Sequence, residues 1–152
     1  MKALELKVPP LLLIFLIALL MYGCAVLFPS VRFGWVPVWI RIILLALGIL
    51  LPLLGWIEFR KANTTVDPRI PDKSSTLVTR GIYRWTRNPM YLGFLIILFA
   101  WGLSLHNMAA LLGLPLYMFY MNLFQIKPEE RQLESYFGDT YRDYKKRVGR
   151  WW

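Results

Sequence analysis

Long apolar runs alternate with short charged segments along this chain, and the apolar runs contain almost no polar residue. They cover about 9–28, 38–57, 89–105 and 108–126. The hydrocarbon core of a bilayer is about 30 Å thick and takes about 20 apolar residues in a helix, which alone satisfies its own backbone hydrogen bonds there. The pattern therefore predicts four transmembrane helices. Pro9 and Pro89 fall at first helical turns, where proline is tolerated, whereas Pro52 and Pro115 lie inside spans and predict kinks. Ser104-Leu105-His106-Asn107 leaves so little chain between the last two spans that they form an antiparallel hairpin with His106 at its tip.

Beyond the fourth span the period changes. Pro128 suits a new helix start, and Leu133, Tyr136, Phe137, Tyr141 and Tyr144 recur three or four apart among charged neighbours. That is an amphipathic helix, with Gly138 as the point of any interruption. Its aromatic stripe, the cluster Lys145-Lys146-Arg147 and the terminal Trp151-Trp152 suit the cytoplasmic membrane interface. The expected fold is all-α: an integral membrane bundle of about four transmembrane helices plus a C-terminal cytoplasmic amphipathic helix, one domain over 1–152. The connector from Glu58 to Asn88 is long for a simple loop. It reads as turns at Asn63-Thr64-Thr65 and from Asp67-Pro68 to Pro71-Asp72, followed by an extended stretch at Thr76-Leu77-Val78.

Composition supports the membrane reading, since 152 residues with 57% hydrophobic content and a mean hydropathy of +0.46 are too oily for an ordinary soluble domain. The net charge of +9 raises nucleic acid as a partner, but topology accounts for it. With the N-terminus inside, the cytoplasmic side collects Lys2 and Lys7, every cation from Arg60 to Arg87, and every cation from Lys127 to Arg150; only Arg32 and Arg41 remain outside. The expectation is a multi-pass protein with both termini cytoplasmic, whose partner is the lipid bilayer and not nucleic acid. A single cysteine, Cys24, and a single histidine, His106, exclude an internal disulfide and a Cys/His zinc site, so no metal is predicted. The run ending at Gly23-Cys24 has the look of a lipoprotein cleavage site, but bulky Tyr22 and the continuation through Ala25-Val26-Leu27-Phe28 favour a retained first span.

Two short motifs interrupt this plain picture. Alone, Arg87-Asn88-Pro89-Met90-Tyr91 reads as a helix shoulder: Asn88 as cap, Pro89 as first turn, Tyr91 in the aromatic belt. Glu129-Glu130 alone reads as acids stabilised by a helix dipole. Both, however, lie on one membrane face at the mouths of the third and fourth spans. They can share a pocket with an apolar lining, backbone groups at a helix start, several rings and a carboxylate, which suits a cationic, nucleotide-bearing ligand.

The two stretches TLVTRGIYRWTRNPMYLG and EERQLESYFGDTYRDYKKRV resemble the C-terminal half of the isoprenylcysteine carboxyl methyltransferase family, which is related to the phospholipid N-methyltransferases. The resemblance covers about 75–150 and leaves the first two spans aside. It implies an integral membrane methyltransferase that uses S-adenosylmethionine at the cytoplasmic ends of the last two spans, with a membrane-associated or amphiphilic carboxylate, thiol or amine as acceptor. Carried over by position, the cofactor residues are Thr76, Leu77, Val78, Tyr83, Asn88, Pro89, Met90, Tyr91 and Glu129. Glu129, Glu130 and Tyr91 are the implied catalytic groups. Two positions depart from the isoprenylcysteine pattern. Asn88 stands where that branch has His, as in the phospholipid branch, and Gln125 stands at the substrate-binding position where Arg is expected, so it cannot neutralise a carboxylate bidentately. Two rival readings are a nicotinamide-dependent membrane reductase resembling the sterol reductases, which share an Arg-x-Pro-x-Tyr-x-Gly type segment, and a non-catalytic membrane subunit.

Overall fold

The computed structural model describes residues 5–62 and 76–152. The turns expected at 63–65 and 67–72 lie outside the described residues. Five α-helices carry the fold: α1 Pro10–Leu27, α2 Val38–Lys61, α3 Pro89–Ser104, α4 Gly113–Tyr120 and α5 Lys127–Arg147. Short 3-10 turns stand at Gly81–Arg84 and Ala110–Leu112, and a π-helical segment at Met121–Ile126 joins α4 to α5. Among the described residues there is no strand, only an isolated antiparallel bridge between Arg32 and Asn107.

α1 and α2 are long and apolar enough to cross a membrane. Both leave much of their apolar surface uncovered: Leu11, Phe15, Leu19 and Leu27 on α1, and Trp39, Ile42, Ile49 and Leu53 on α2, are exposed. A water-soluble protein would bury such surface, whereas lipid solvates it. The opposite side of α1 supplies Leu13, Ile17 and Met21 to a core completed by Leu98, Tyr117, Met121 and Ile126. α3, also apolar but of 16 residues, packs on α2 with its backbone unusually close. A Cβ at Gly93 would lie 2.6 Å from the carbonyl oxygen of Gly48 and would also strike the ring of Pro52. α2 thus runs unbroken past Pro52, whose ring occupies the space that Gly93 leaves.

Several expected boundaries move. α2 extends four residues past Ile57, because Lys61 pairs with Glu58 at 3.0 Å and Arg60 lies over the Trp56 ring at 5.1 Å, with both cations at the favourable end of the helix dipole. Pro115 is the third residue of α4, directly after the 3-10 turn. The fourth apolar run and the tail helix are not separate: helix continues from Ala110 through the π segment into α5. Pro128 lacks an N–H, which frees the carbonyl of Phe124, and the amide of Leu6 donates to that oxygen at 2.9 Å. The segment before α1 is thereby tied to the junction, with an Arg131–Glu5 ion pair beside it.

The α3–α4 hairpin matches the expectation, with His106 at a positive φ of 50°. Its buried neighbour Asn107 accepts from the amides of Ala109 and Ala110 at 2.9 and 3.2 Å and donates to the carbonyl of Phe28 at 2.7 Å, which fastens the hairpin to the end of α1. Gly138 does interrupt α5, at φ 52° and ψ −127°.

Candidate active site

Two anchored segments and α5 enclose a single cleft. Its first wall is the stretch from Thr76 to Arg84, held by α2: Arg80 reaches Glu58 at 3.4 Å, and Gly81, at φ 60°, leaves room for the same carboxylate. A side chain there would be strained and would meet Glu58 Cδ at 2.6 Å. The 3-10 turn that follows buries Tyr83 edge-on against Phe59, with centroids 5.5 Å apart. Tyr144 of α5 donates its hydroxyl to the Tyr83 carbonyl at 2.7 Å.

The second wall is the start of α3. Asn88 occupies the N-cap position, but its side chain does not cap the helix. Instead Nδ2 donates to the Arg150 carbonyl at 2.9 Å, and Thr86 Oγ1 donates to the same oxygen at 3.2 Å. The cap expected at Asn88 is therefore a tie to the chain's last residues, and among the described residues no side chain caps the first amides of α3. Such an uncapped start favours an anionic group on a ligand.

The third wall is α5. Tyr91 Oη donates to Glu129 Oε1 at 2.7 Å, and Gln125 Nε2 donates to the same oxygen at 2.6 Å and to Tyr91 Oη at 3.3 Å. Glu129, Tyr91 and Gln125 thus form one constellation, with the Tyr91 carbonyl accepting from Tyr117 Oη at 3.2 Å. Glu130 is differently engaged. Arg150 grips it with two parallel bonds of 3.0 and 2.6 Å, and Arg87 Nη1 lies 3.1 Å from its Oε1. Both of its oxygens are committed to guanidinium groups.

Thr76, Leu77, Val78, Tyr83, Asn88, Pro89, Met90, Tyr91 and Glu129 all line this cleft, which holds about 820 Å³ of empty space including its open mouth. Glu130 lines it too. Gln125 does not; it touches the cleft through its two partners. Arg87, inside the first motif, lines it as well, and the remaining wall was not foreseen as such: Phe59, Ile126, Leu133, Phe137, Tyr141 and Tyr144 complete the lining. The stripe of α5 expected to lie on the membrane interface is thus largely turned into the cleft, while Tyr136 stays exposed. Trp151 is corrected likewise. It is buried in the core beside Tyr117, where its indole N–H finds Asn122 Oδ1 at 3.3 Å, while Trp152 is 78% exposed. The signal for the tail's role was slight: Asn122 and Arg150 are single polar residues outside both quoted stretches, and Thr86 stands inside the first without a role of its own there.

Burial raises the pKa of Tyr83, with the carboxylates of Glu129 and Glu58 adding to the effect after Tyr144. Burial and Glu130 push Tyr141 up to about 12, and burial raises Tyr144 as well. These rings are neutral hydrogen-bonding walls at any ordinary pH. Arg87 Nε is buried without an acceptor among the described residues. No group of three or more His, Cys, Asp or Glu suited to a metal occurs among them either.

The model of the phospholipid methyltransferase family matches residues 36–140. The chain belongs to that family. An uncharacterized protein of Haemophilus influenzae is 53% identical over 62 residues, which are 41% of this chain and 98% of that protein. The protein-S-isoprenylcysteine O-methyltransferase of Schizosaccharomyces pombe is 39% identical over 79 residues, 51% of this chain and 33% of that enzyme. A probable protein-S-isoprenylcysteine O-methyltransferase of Oryza sativa is 27% identical over 124 residues, 82% of this chain and 65% of that protein. The chain therefore spans only a third of the yeast enzyme it matches. The resemblance to the isoprenylcysteine methyltransferases and their phospholipid relatives holds, and the family match reaches back over α2 as well.

Proposed function

We propose that this family member is an integral membrane methyltransferase that takes its methyl group from S-adenosylmethionine and gives it to an amphiphilic acceptor. The observation that carries the reading is the convergence of all nine family-implied cofactor residues on one cleft between the start of α3 and α5. The cleft fits the cofactor in kind. Its walls are mostly apolar and aromatic, and its polar groups sit in distinct places.

The uncapped start of α3, with the orphaned Arg87 Nε nearby, supports binding of the amino-acid carboxylate. Glu129 supports binding of ribose hydroxyls or the ammonium group, and its orientation is held by Tyr91 and Gln125. Tyr83 and Tyr91 supply ring faces for a sulfonium or an adenine. When bound, the cofactor would supply an electrophilic methyl carbon on a sulfonium, whose C–S bond breaks to leave a neutral thioether as the acceptor bonds to the methyl. The chain's own part is to align and to exclude water, which raises the effective concentration of the acceptor. Where the acceptor is an amine, Glu129 is placed to take its proton, directly or through water. Glu130, gripped by Arg87 and Arg150, holds the walls in register. Gln125, at the expected substrate position, is a positioning residue for Glu129, and it offers no cation to a carboxylate acceptor.

In this reading the single domain places α1, α2, α3 and the helical run 110–126 across the bilayer as four spans. Both termini and the cleft lie on the cytoplasmic side, where Lys and Arg concentrate. An acceptor with a lipid tail would then reach the cleft from the adjacent leaflet. The test uses the full chain in lipid nanodiscs with labelled S-adenosylmethionine, NADPH, or both as competitors. Saturable binding of S-adenosylmethionine, and label transferred to a lipid amine, thiol or carboxylate, is the expected result. Saturable binding of NADPH alone would establish the reductase reading, and binding of neither a non-catalytic subunit.

A further inference from the structure

A second hollow opens between α1, the first turns of α2 and the C-terminal half of α3, and it holds about 850 Å³ of empty space including its mouth. Ala18, Leu45, Ile97 and Trp101 are among its apolar walls; Arg41 and Ser104 are its polar side chains. Ser104 is already used, since its hydroxyl donates to the Ala100 carbonyl at 2.9 Å. Trp101 likewise donates its N–H to the Ala18 carbonyl at 3.1 Å. Arg41 is different. Among the described residues its buried Nε has no hydrogen-bond partner, no acidic side chain lines the hollow, and it makes no ion pair.

Arg41 stands one turn into α2, whose other end carries Glu58 and Phe59 beside the cofactor cleft. The helix rise separates the two ends by about 25 Å, so this hollow faces the opposite side of the bundle. A guanidinium near the end of a membrane-spanning helix keeps its stem on apolar surface and turns its charge to the interface, where lipid phosphates lie. An apolar slot ending in an unpaired guanidinium has the chemistry to receive an anionic amphiphile.

We propose that this hollow binds a phospholipid of net negative charge from the leaflet opposite the cofactor cleft. The phosphate sits on Arg41, and one acyl chain lies along Ala18, Leu45, Ile97 and Trp101. A zwitterionic lipid brings the same phosphate but also its own cation, and so has less to gain from Arg41. The assignment rests on the membrane placement proposed above and is independent of methyl transfer.

The test uses the full chain, purified and delipidated in neutral detergent. It receives phosphatidylglycerol, phosphatidylcholine with the same acyl chains, or inorganic phosphate. Native mass spectrometry counts retained lipid, thermal unfolding reads stabilisation, and S-adenosylmethionine binding is measured alongside. Phosphatidylglycerol is expected to persist as a one-to-one adduct and to raise the unfolding midpoint by about 5 °C or more at saturating concentration, with little effect from the other two. Arg41→Gln should abolish this preference, Arg41→Lys should keep part of it, and Arg32→Gln should leave it intact. If Arg41→Gln does not fold, Leu45→Trp, which fills the slot while keeping the cation, should lose the adduct instead. Equal retention of both lipids overturns the proposal, as does a phosphatidylglycerol preference surviving Arg41→Gln or Leu45→Trp. Stabilisation by phosphate alone assigns a soluble anion and overturns the lipid. Failure of the wild type to bind S-adenosylmethionine would count against the methyltransferase reading only.

Discussion

Glu129 and Glu130 are neighbours of the same type, yet their surroundings predict opposite phenotypes when each is replaced by glutamine. Glu130 is 8% exposed and shared by two guanidinium groups; the Arg87 side chain is 10% exposed and that of Arg150 is 29% exposed. Glutamine keeps the volume and removes the charge, leaving Arg87 buried against a neutral amide. Removing one partner of a buried pair costs about 3–5 kcal/mol. Because Arg150 can turn partly to solvent, its share is discounted, and about 3 kcal/mol is expected in total. For a chain of this size that is a fall of about 6–12 °C in the unfolding midpoint.

Glu129→Gln should behave differently. Tyr91 can still donate to the amide oxygen of the new side chain, so stability should change by less than about 1 kcal/mol. Loss of the carboxylate should weaken S-adenosylmethionine binding by about 10- to 100-fold, the worth of one hydrogen bond to a charged acceptor. The assay is thermal unfolding in nanodiscs together with equilibrium binding of labelled cofactor for both variants. A double mutant pairing Glu130→Gln with Arg150→Met isolates the ion pair, and the two losses should be far from additive. If Glu130→Gln were as stable as wild type while Glu129→Gln unfolded early, the division of labour drawn from the hydrogen bonds would be wrong.

Three further outcomes follow from the same geometry. Gly93→Ala should separate α2 from α3, since the added carbon falls 2.6 Å from the Gly48 carbonyl oxygen, and thermal unfolding should show a loss of about 1–3 kcal/mol. Raising pH should destabilise the fold between about 10 and 12, because Tyr141, Tyr144 and Tyr83 ionise late in the folded state. The stability they contribute is complete below the unfolded tyrosine pKa of about 10 and is lost as pH climbs toward the folded values. Tyr141→Phe should flatten part of that decline in a pH series of unfolding midpoints. Asn88→Asp should loosen the tail's tie to α3, because a carboxylate cannot donate to the Arg150 carbonyl that now accepts at 2.9 Å. Faster proteolysis near Gly149 in that variant, with Asn88→Gln less affected, is the expected reading.

The apolar helices were legible because hydrophobic runs of this length have few alternatives, and α1, α2 and α3 start and stop within a few residues of the apolar boundaries. The cleft was legible for another reason: nine positions of one resemblance line it together. What periodicity hid was the direction of faces. A stripe of Phe and Tyr at helical spacing suits a membrane interface and a cleft wall equally well, and only the tertiary placement of α5, tied by Tyr144 to the Tyr83 carbonyl, turns it to the cleft. The junction was hidden too, because Pro128 reads as a helix start wherever it stands. The free Phe124 carbonyl became acceptable only through the distant amide of Leu6. Asn88 shows the limit most sharply, since a cap is a local contact whereas its partner here is 62 residues away.

The claim on which the rest depends is that the cleft between α3 and α5 holds the methyl donor. Ultraviolet cross-linking of labelled S-adenosylmethionine to the full chain in nanodiscs, with adducts mapped by mass spectrometry, tests it directly. The account predicts label on peptides spanning 76–91 and 126–144, competed by unlabelled cofactor and diminished in Glu129→Gln. Competable label confined to other segments, or none at all on protein that remains folded, would contradict it.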